Sequence, residues 1–194
     1  KTDQFLKSLR GEANIVVGRK GSGKSAIFLQ VRDRERNKKG NIVLDLKPDG
    51  YKLIKFKELI LSFLEEGTFQ HTIMAFWEYV LLLEICYKIL EKDREQHKRD
   101  YMAHKEVCWL LFDNIDKGWP TSGLEHEDLL IIRGLIDATK KMERQFGKSN
   151  VSVNTIVFLR NDVYELLVQE TSDRGKEASV LLDWTDPDLL RELI

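Results

Sequence analysis

The eight residues Gly18-Arg-Lys-Gly-Ser-Gly-Lys-Ser25 fit the spacing G-x-x-x-x-G-K-[ST] in full. Glycines at these positions let successive backbone N–H groups turn inward as an anion nest, and a helix beginning at its end adds a partial positive charge. The stretch Gly18, Arg19, Lys20, Gly21, Ser22, Gly23 and Ala26 then supplies backbone to a polyphosphate. Lys24 brings a point charge to the β and γ phosphates, and Ser25 brings a hydroxyl to Mg²⁺. A nucleoside triphosphate with its magnesium is the ligand this chemistry expects.

A second cluster, Asp113-Asn-Ile-Asp116, ends a continuous apolar run. A carboxylate at a strand end beside a phosphate loop holds the water shell of Mg²⁺, so Asp113 is the expected Walker B acid and shares the metal with Ser25. Asp116, three residues on, is expected to orient or deprotonate the attacking water, since hydrolysis needs a base within about one hydrogen bond of it. Asn114 is the alternative for that task, and a helix cap or salt-bridge partner is the plainer reading of Asp116. Arg160 closes another apolar run, which places it to sense the γ phosphate or, more plainly, to pair with Asp162 or Glu165. Arg19 and Lys20 read as solvated rather than catalytic. His71, His97, His104 and His126 show no metal-ligand spacing among themselves or with the cysteines. Lys52, Lys55 and Lys57 read as a solvated helix face, and Trp77, Trp109, Trp119 and Trp184 as core or lid aromatics.

These side chains need a scaffold, and the hydrophobic pattern supplies one. Strands are predicted at Ala13-Asn-Ile-Val-Val17, Asn41-Ile-Val-Leu-Asp-Leu46, Val107-Cys-Trp-Leu-Leu-Phe112, Val153-Asn-Thr-Ile-Val-Phe-Leu159 and Val180-Leu-Leu182. Between them, apolar residues at 27, 28 and 31 mark a helix after the glycine loop. Further helices are predicted over 52–66, 71–97, 128–146 and 163–169, with a last one opening at Asp186 and Pro187. In the helix over 71–97, Ile73, Trp77, Val80, Leu81, Leu83, Tyr87 and Leu90 form so wide an apolar face that substantial burial is expected. In that over 128–146, Leu129, Ile132, Leu135, Ile136 and Met142 point inward. Alternating strands and helices imply a parallel α/β sheet with right-handed crossovers.

The chain has 194 residues, 42% of them hydrophobic, which suits one domain with a sizeable core. With 31 basic and 32 acidic side chains the formal charge is −1, so no net field favours nucleic acid or an anionic membrane. The longest apolar stretch is broken by Glu78, Glu84 and Lys88, which argues against a membrane span. Cys86 and Cys108 both lie in apolar runs, as small hydrophobes rather than a disulfide framework. A reducing, cytoplasmic setting is expected. The chain starts with Lys and reads as a fragment of something longer.

Three segments together carry a resemblance to a family: Val17-Gly-Arg-Lys-Gly-Ser-Gly-Lys-Ser-Ala26, Leu110-Leu-Phe-Asp-Asn-Ile-Asp-Lys-Gly-Trp119 and Ile156-Val-Phe-Leu-Arg-Asn-Asp-Val-Tyr164. They resemble the STAND-type P-loop ATPases, above all a bacterial subgroup whose Walker B reads D-x-x-D-K-G-W. The resemblance runs along nearly the whole chain. It implies a P-loop NTPase sandwich over 1–194, with about five parallel strands, helices on both faces and a helical insertion at about 52–104. It also implies ATP and Mg²⁺ as ligands, with Asp113 as Walker B, Asp116 as the hydrolysis-linked carboxylate and Arg160 as sensor 1. Trp184 with the helix from Pro187 resembles the family's last strand-helix unit, after which a helical lid and winged helix normally follow in relatives. Relatives are large multidomain switches, many serving antiviral defence, in which ATP drives oligomerisation and activates an attached effector. The implied partners are a nucleotide triphosphate, further copies meeting through the ATPase domain, and effector and sensor domains of the same protein. A slowly hydrolysing switch is therefore the first expectation. A nucleotide-binding scaffold without significant turnover is the second, and a P-loop kinase or nucleic-acid motor the third.

Overall fold

Alternate residues of each strand carry the fold, because successive side chains point to opposite faces and both faces here are covered. The computed structural model describes residues 6–8, 10–47, 57–58, 66–96, 107–117, 119, 124–170 and 179–182. In chain order the elements are β1 (Ile15–Gly18), α1 (Lys24–Arg36), β2 (Asn41–Leu46), a 3₁₀ turn (Glu66–Thr68) and α2 (Phe69–Gln96). Then follow β3 (Val107–Phe112), α3 (His126–Gly147), β4 (Ser152–Leu159), α4 (Asn161–Glu170) and β5 (Ser179–Leu182). The five strands form one sheet in the order β2-β3-β4-β1-β5, and every pairing is parallel. Phe112 stands opposite Val157, and Val17 opposite Leu159. All five carboxyl ends therefore share one edge.

One face, built from Val16, Val43, Trp109, Leu111, Ile156 and Phe158, packs under Ile27, Phe28 and Val31 of α1. There the rings of Phe28 and Phe158 meet edge to face at 5.7 Å. The opposite face, with Ile15, Val17, Leu44, Leu110, Phe112 and Val157, packs under α2, α3 and α4. Trp77 of α2 sits edge-on to Phe112, 6.4 Å between centroids, and its indole Nε1 donates to the Ile131 carbonyl at 2.9 Å. Gly134 lets α2 and α3 come this close: a Cβ there would stand 2.5 Å from Ile73 Cγ2. The α/β three-layer sandwich with a parallel five-stranded sheet is as the sequence pattern implies.

Three readings need correction. The buried row of α2 is Ile73, Trp77, Leu81 and Ile85, a single stripe at spacing four, while Leu83, Tyr87 and Leu90 are exposed. A helix that lies on a sheet from one side buries only one stripe, so apolar character around the rest of α2 does not mean burial. Cys86 falls on that outer surface and is exposed, whereas Cys108 is buried among apolar neighbours that push its thiol up to about 12. Lys57 is no solvated side chain either. Its Nζ donates to Glu125 Oε2 at 2.6 Å and Asp128 Oδ1 at 2.9 Å, joining the capping box that opens α3. Burial opposes its charge, but these two hydrogen bonds win and raise it above the usual lysine value. Lys52, Lys55, His97, His104, Trp184, most of the helix over 52–66 and the helix from Pro187 lie outside the described residues.

Candidate functional site

The turn between β1 and α1 is made by its glycines. Gly21 and Gly23 take φ of +85° and +79°, a region L side chains adopt at a cost, and Gly23 is the residue that caps α1. Gly18 is needed for a different reason: a Cβ there would collide with Ser22 Oγ and come within 3.1 Å of Leu182 Cβ. No side chain caps α1, and its first turn carries no acid. No residue of its own first turn therefore offsets the positive end of α1, in contrast to α3, where Glu125 and Asp128 complete the cap.

Lys24 lies along this turn and donates through Nζ to the carbonyls of Gly18 at 2.6 Å and Arg19 at 3.0 Å. Its ammonium is thus fixed over the loop. Burial pulls it below the usual lysine value, although Asp116 and Asp113 act in the opposite sense. One helical step on, Ser25 Oγ donates to Asp113 Oδ2 at 3.3 Å. The first turn of α1 and the end of β3 thereby meet across 88 residues of sequence. Asn114 donates its amide to the same oxygen at 3.3 Å, with a φ of +63° that asparagine tolerates better than most residues. Asp113 and Asp116 are only 3% and 5% exposed, and each is hydrogen-bonded, as buried carboxylates must be.

Burial raises Asp116 above the usual carboxylate range, against the Arg160 backbone N–H, the Arg160 guanidinium and the Lys24 charge. Its Oδ2 accepts that N–H at 2.7 Å, which ties Asp116 to the residue that precedes α4. Arg160 pairs with Asp162, as the plainer reading of its sequence position held, and also donates Nη1 to the Trp119 carbonyl at 3.1 Å. Both residues nevertheless line a cavity of about 580 Å³ together with Lys20, Gly21, Ser22, Gly23, Lys24, Ser25, Ala26, Asp113 and Asn114. Gly18 and Arg19 are absent from the lining and contribute the carbonyls that hold Lys24. Lys117 and Phe158 join the lining unassigned by the sequence reading. Lys117 sits inside the Asp113 to Trp119 motif, so its position was the available signal; nothing in the pattern of β4 marks Phe158 apart from its neighbours.

The cavity volume falls within the range of small-molecule sites. Its lining is of the kind a polyphosphate needs: a fixed ammonium, a helix start without a side-chain cap, and a glycine turn. A metal would be held by Ser25 and Asp113. Among the described residues no group of three or more His, Cys, Asp and Glu could cage an ion. Mg²⁺ asks for no such cage, since it keeps several waters and takes one or two carboxylates beside phosphate oxygens.

Sheet, helices and glycine turn define an α/β sandwich of the P-loop NTPase kind. No family model matches the chain, and no solved structure matches it. Among curated proteins it is similar to the "Putative transposon gamma-delta 80.3 kDa protein" of Escherichia coli (strain K12), at 28% identity over 179 residues. That stretch is 90% of this chain and 24% of the other protein, so the chain spans about a quarter of the length of the relative it matches. No helix among the described residues is long and apolar enough to cross a membrane.

Proposed function

We propose that this domain binds ATP with Mg²⁺ and hydrolyses it slowly, as the nucleotide switch of a larger protein whose copies associate through it. The observation that carries the reading is the Ser25 to Asp113 hydrogen bond. It joins a helix start and a strand end far apart in sequence into the pair of oxygens a nucleotide-bound magnesium needs. Lys24 and the amides of the glycine turn would hold the phosphates, and Ser25 and Asp113 would hold the metal, which when bound would supply charge neutralisation for the transferring group. Asp116 accepts a proton from the water that attacks the γ phosphorus, as the bond to the β–γ bridging oxygen breaks. Its raised proton affinity favours that transfer. Assembly of copies and coupling to an effector or sensor domain rest on the family resemblance alone.

A second reading, a nucleotide-driven motor on nucleic acid, draws on the transposon in the relative's name. The formal charge of −1 speaks against it, because affinity for nucleic acid rests on neutralising phosphates. Phosphate release by the wild type and Asp113→Ala, each with Mg²⁺·ATP, tests the proposal. Wild-type turnover that disappears in the variant is expected, and equal release from both refutes it.

A further inference from the structure

Arg160 reaches the cavity with its guanidinium already committed. Nε donates to Asp162 Oδ1 at 3.1 Å and Nη2 to Asp162 Oδ2 at 2.8 Å, a two-bonded fork, while Nη1 donates to the Trp119 carbonyl. Asp162 belongs to the first turn of α4, where the positive end of the helix favours a carboxylate whether or not Arg160 is there. The planar fork that suits a carboxylate is the same one that suits a phosphate. A γ phosphate that engages Arg160 in this way takes it from Asp162.

Resting on the nucleotide reading above, we infer that Asp162 is a specificity-determining residue: it competes with the γ phosphate for Arg160 and so sets the preference between nucleoside triphosphate and diphosphate. A diphosphate lacks the group over which the two anions compete. Removing the carboxylate therefore favours the triphosphate alone. The side chains of Arg160 and Asp162 are 21% and 43% exposed, and solvent screening at that exposure keeps the effect to about fivefold rather than hundreds.

Calorimetry with Mg²⁺ and either a non-hydrolysable ATP analogue or ADP tests this on the wild type, Asp162→Asn, Asp162→Glu, Arg160→Ala and the Arg160→Ala/Asp162→Asn pair. Asp162→Asn is expected to tighten the analogue about fivefold and to move ADP less than about twofold. Asp162→Glu stays near the wild type, and in the Arg160→Ala background the Asn substitution changes nothing. Where Asp162→Asn does not fold, Asp162→Ser, which keeps a small polar side chain at the helix start, carries the same expectation. An unmoved ratio of the two affinities overturns the inference, as does weaker triphosphate binding, which would make Asp162 a support for the arginine rather than its competitor. A wild type that binds neither nucleotide overturns the proposed function and this inference with it. A wild type that binds both, with a ratio unmoved in the variant, overturns the inference alone.

Discussion

Asp116→Asn separates a hydrolytic switch from a binding scaffold. The substitution exchanges one carboxylate oxygen for an amide nitrogen and leaves the other oxygen to accept the Arg160 N–H, now 2.7 Å from Oδ2. Loss of charge weakens that bond by about 1 kcal/mol, while a neutral group avoids the desolvation that a 5%-exposed carboxylate bears. The two effects are of similar size, so folding stability should move by less than about 1 kcal/mol. Catalysis has no such offset. A positioned base contributes roughly 10² to 10⁴ in rate, or about 3–5 kcal/mol of barrier, and an amide cannot accept the proton. Nucleotide affinity should change less than about threefold, since Asp116 is no phosphate or metal ligand in this scheme.

The pH dependence adds an independent check. Burial raises Asp116 above its unfolded value, so its protonated form is the one the fold favours. The stability this contributes is fully present below the unfolded value near 3.9 and is lost as pH rises through the folded value. Turnover runs the other way, because only the ionised form accepts a proton. Phosphate release measured from about pH 4 to 8 should show an acid limb above the usual Asp range, and Asp116→Asn should remove that limb. Equal turnover of variant and wild type across the range would refute the reasoning. So would a loss of affinity as large as the loss of rate, which would make Asp116 a shaper of the site.

Two further outcomes follow from the geometry. Lys24→Ala removes the cation that bridges the Gly18 and Arg19 carbonyls and, in the proposed function, meets the phosphates, and ATP affinity by calorimetry should fall about a hundredfold; an unchanged value would count against the proposed phosphate site. Gly134→Ala places a Cβ 2.5 Å from Ile73 Cγ2 and 3.4 Å from its backbone carbon, which costs about 1–3 kcal/mol of overpacking against at most about 1 kcal/mol of helix propensity. A melting point lower by about 2–6 °C with nucleotide affinity intact is expected, and a variant as stable as the wild type would show that α2 and α3 can part freely.

How much was legible in advance depended on the range of the interaction. Strand and helix positions followed from local periodicity, and β2 and β3 fall where the apolar runs begin and end, at Asn41–Leu46 and Val107–Phe112. Parallel pairing followed from the alternation of elements. The glycine turn was equally readable, since positive φ at Gly21 and Gly23 is a demand on single residues. Periodicity failed on α2, where Leu83, Tyr87 and Leu90 are as apolar as the buried row but face outward. It failed also on Lys57, whose partners Glu125 and Asp128 lie 68 and 71 residues away.

Residue types and spacing alone singled out the glycine loop, the two acids and the arginine as the candidate site, because motif chemistry is written in short stretches of chain. Only the tertiary structure decided their mutual arrangement. The order β2-β3-β4-β1-β5 puts β4 between the strands that carry the loop and Asp113. Arg160 therefore emerges between them, takes its backbone contact from Asp116 and is drawn to Asp162. Strand order depends on which sheet edges and helix faces bury the most apolar surface together, a sum over residues distant in sequence that no local pattern records.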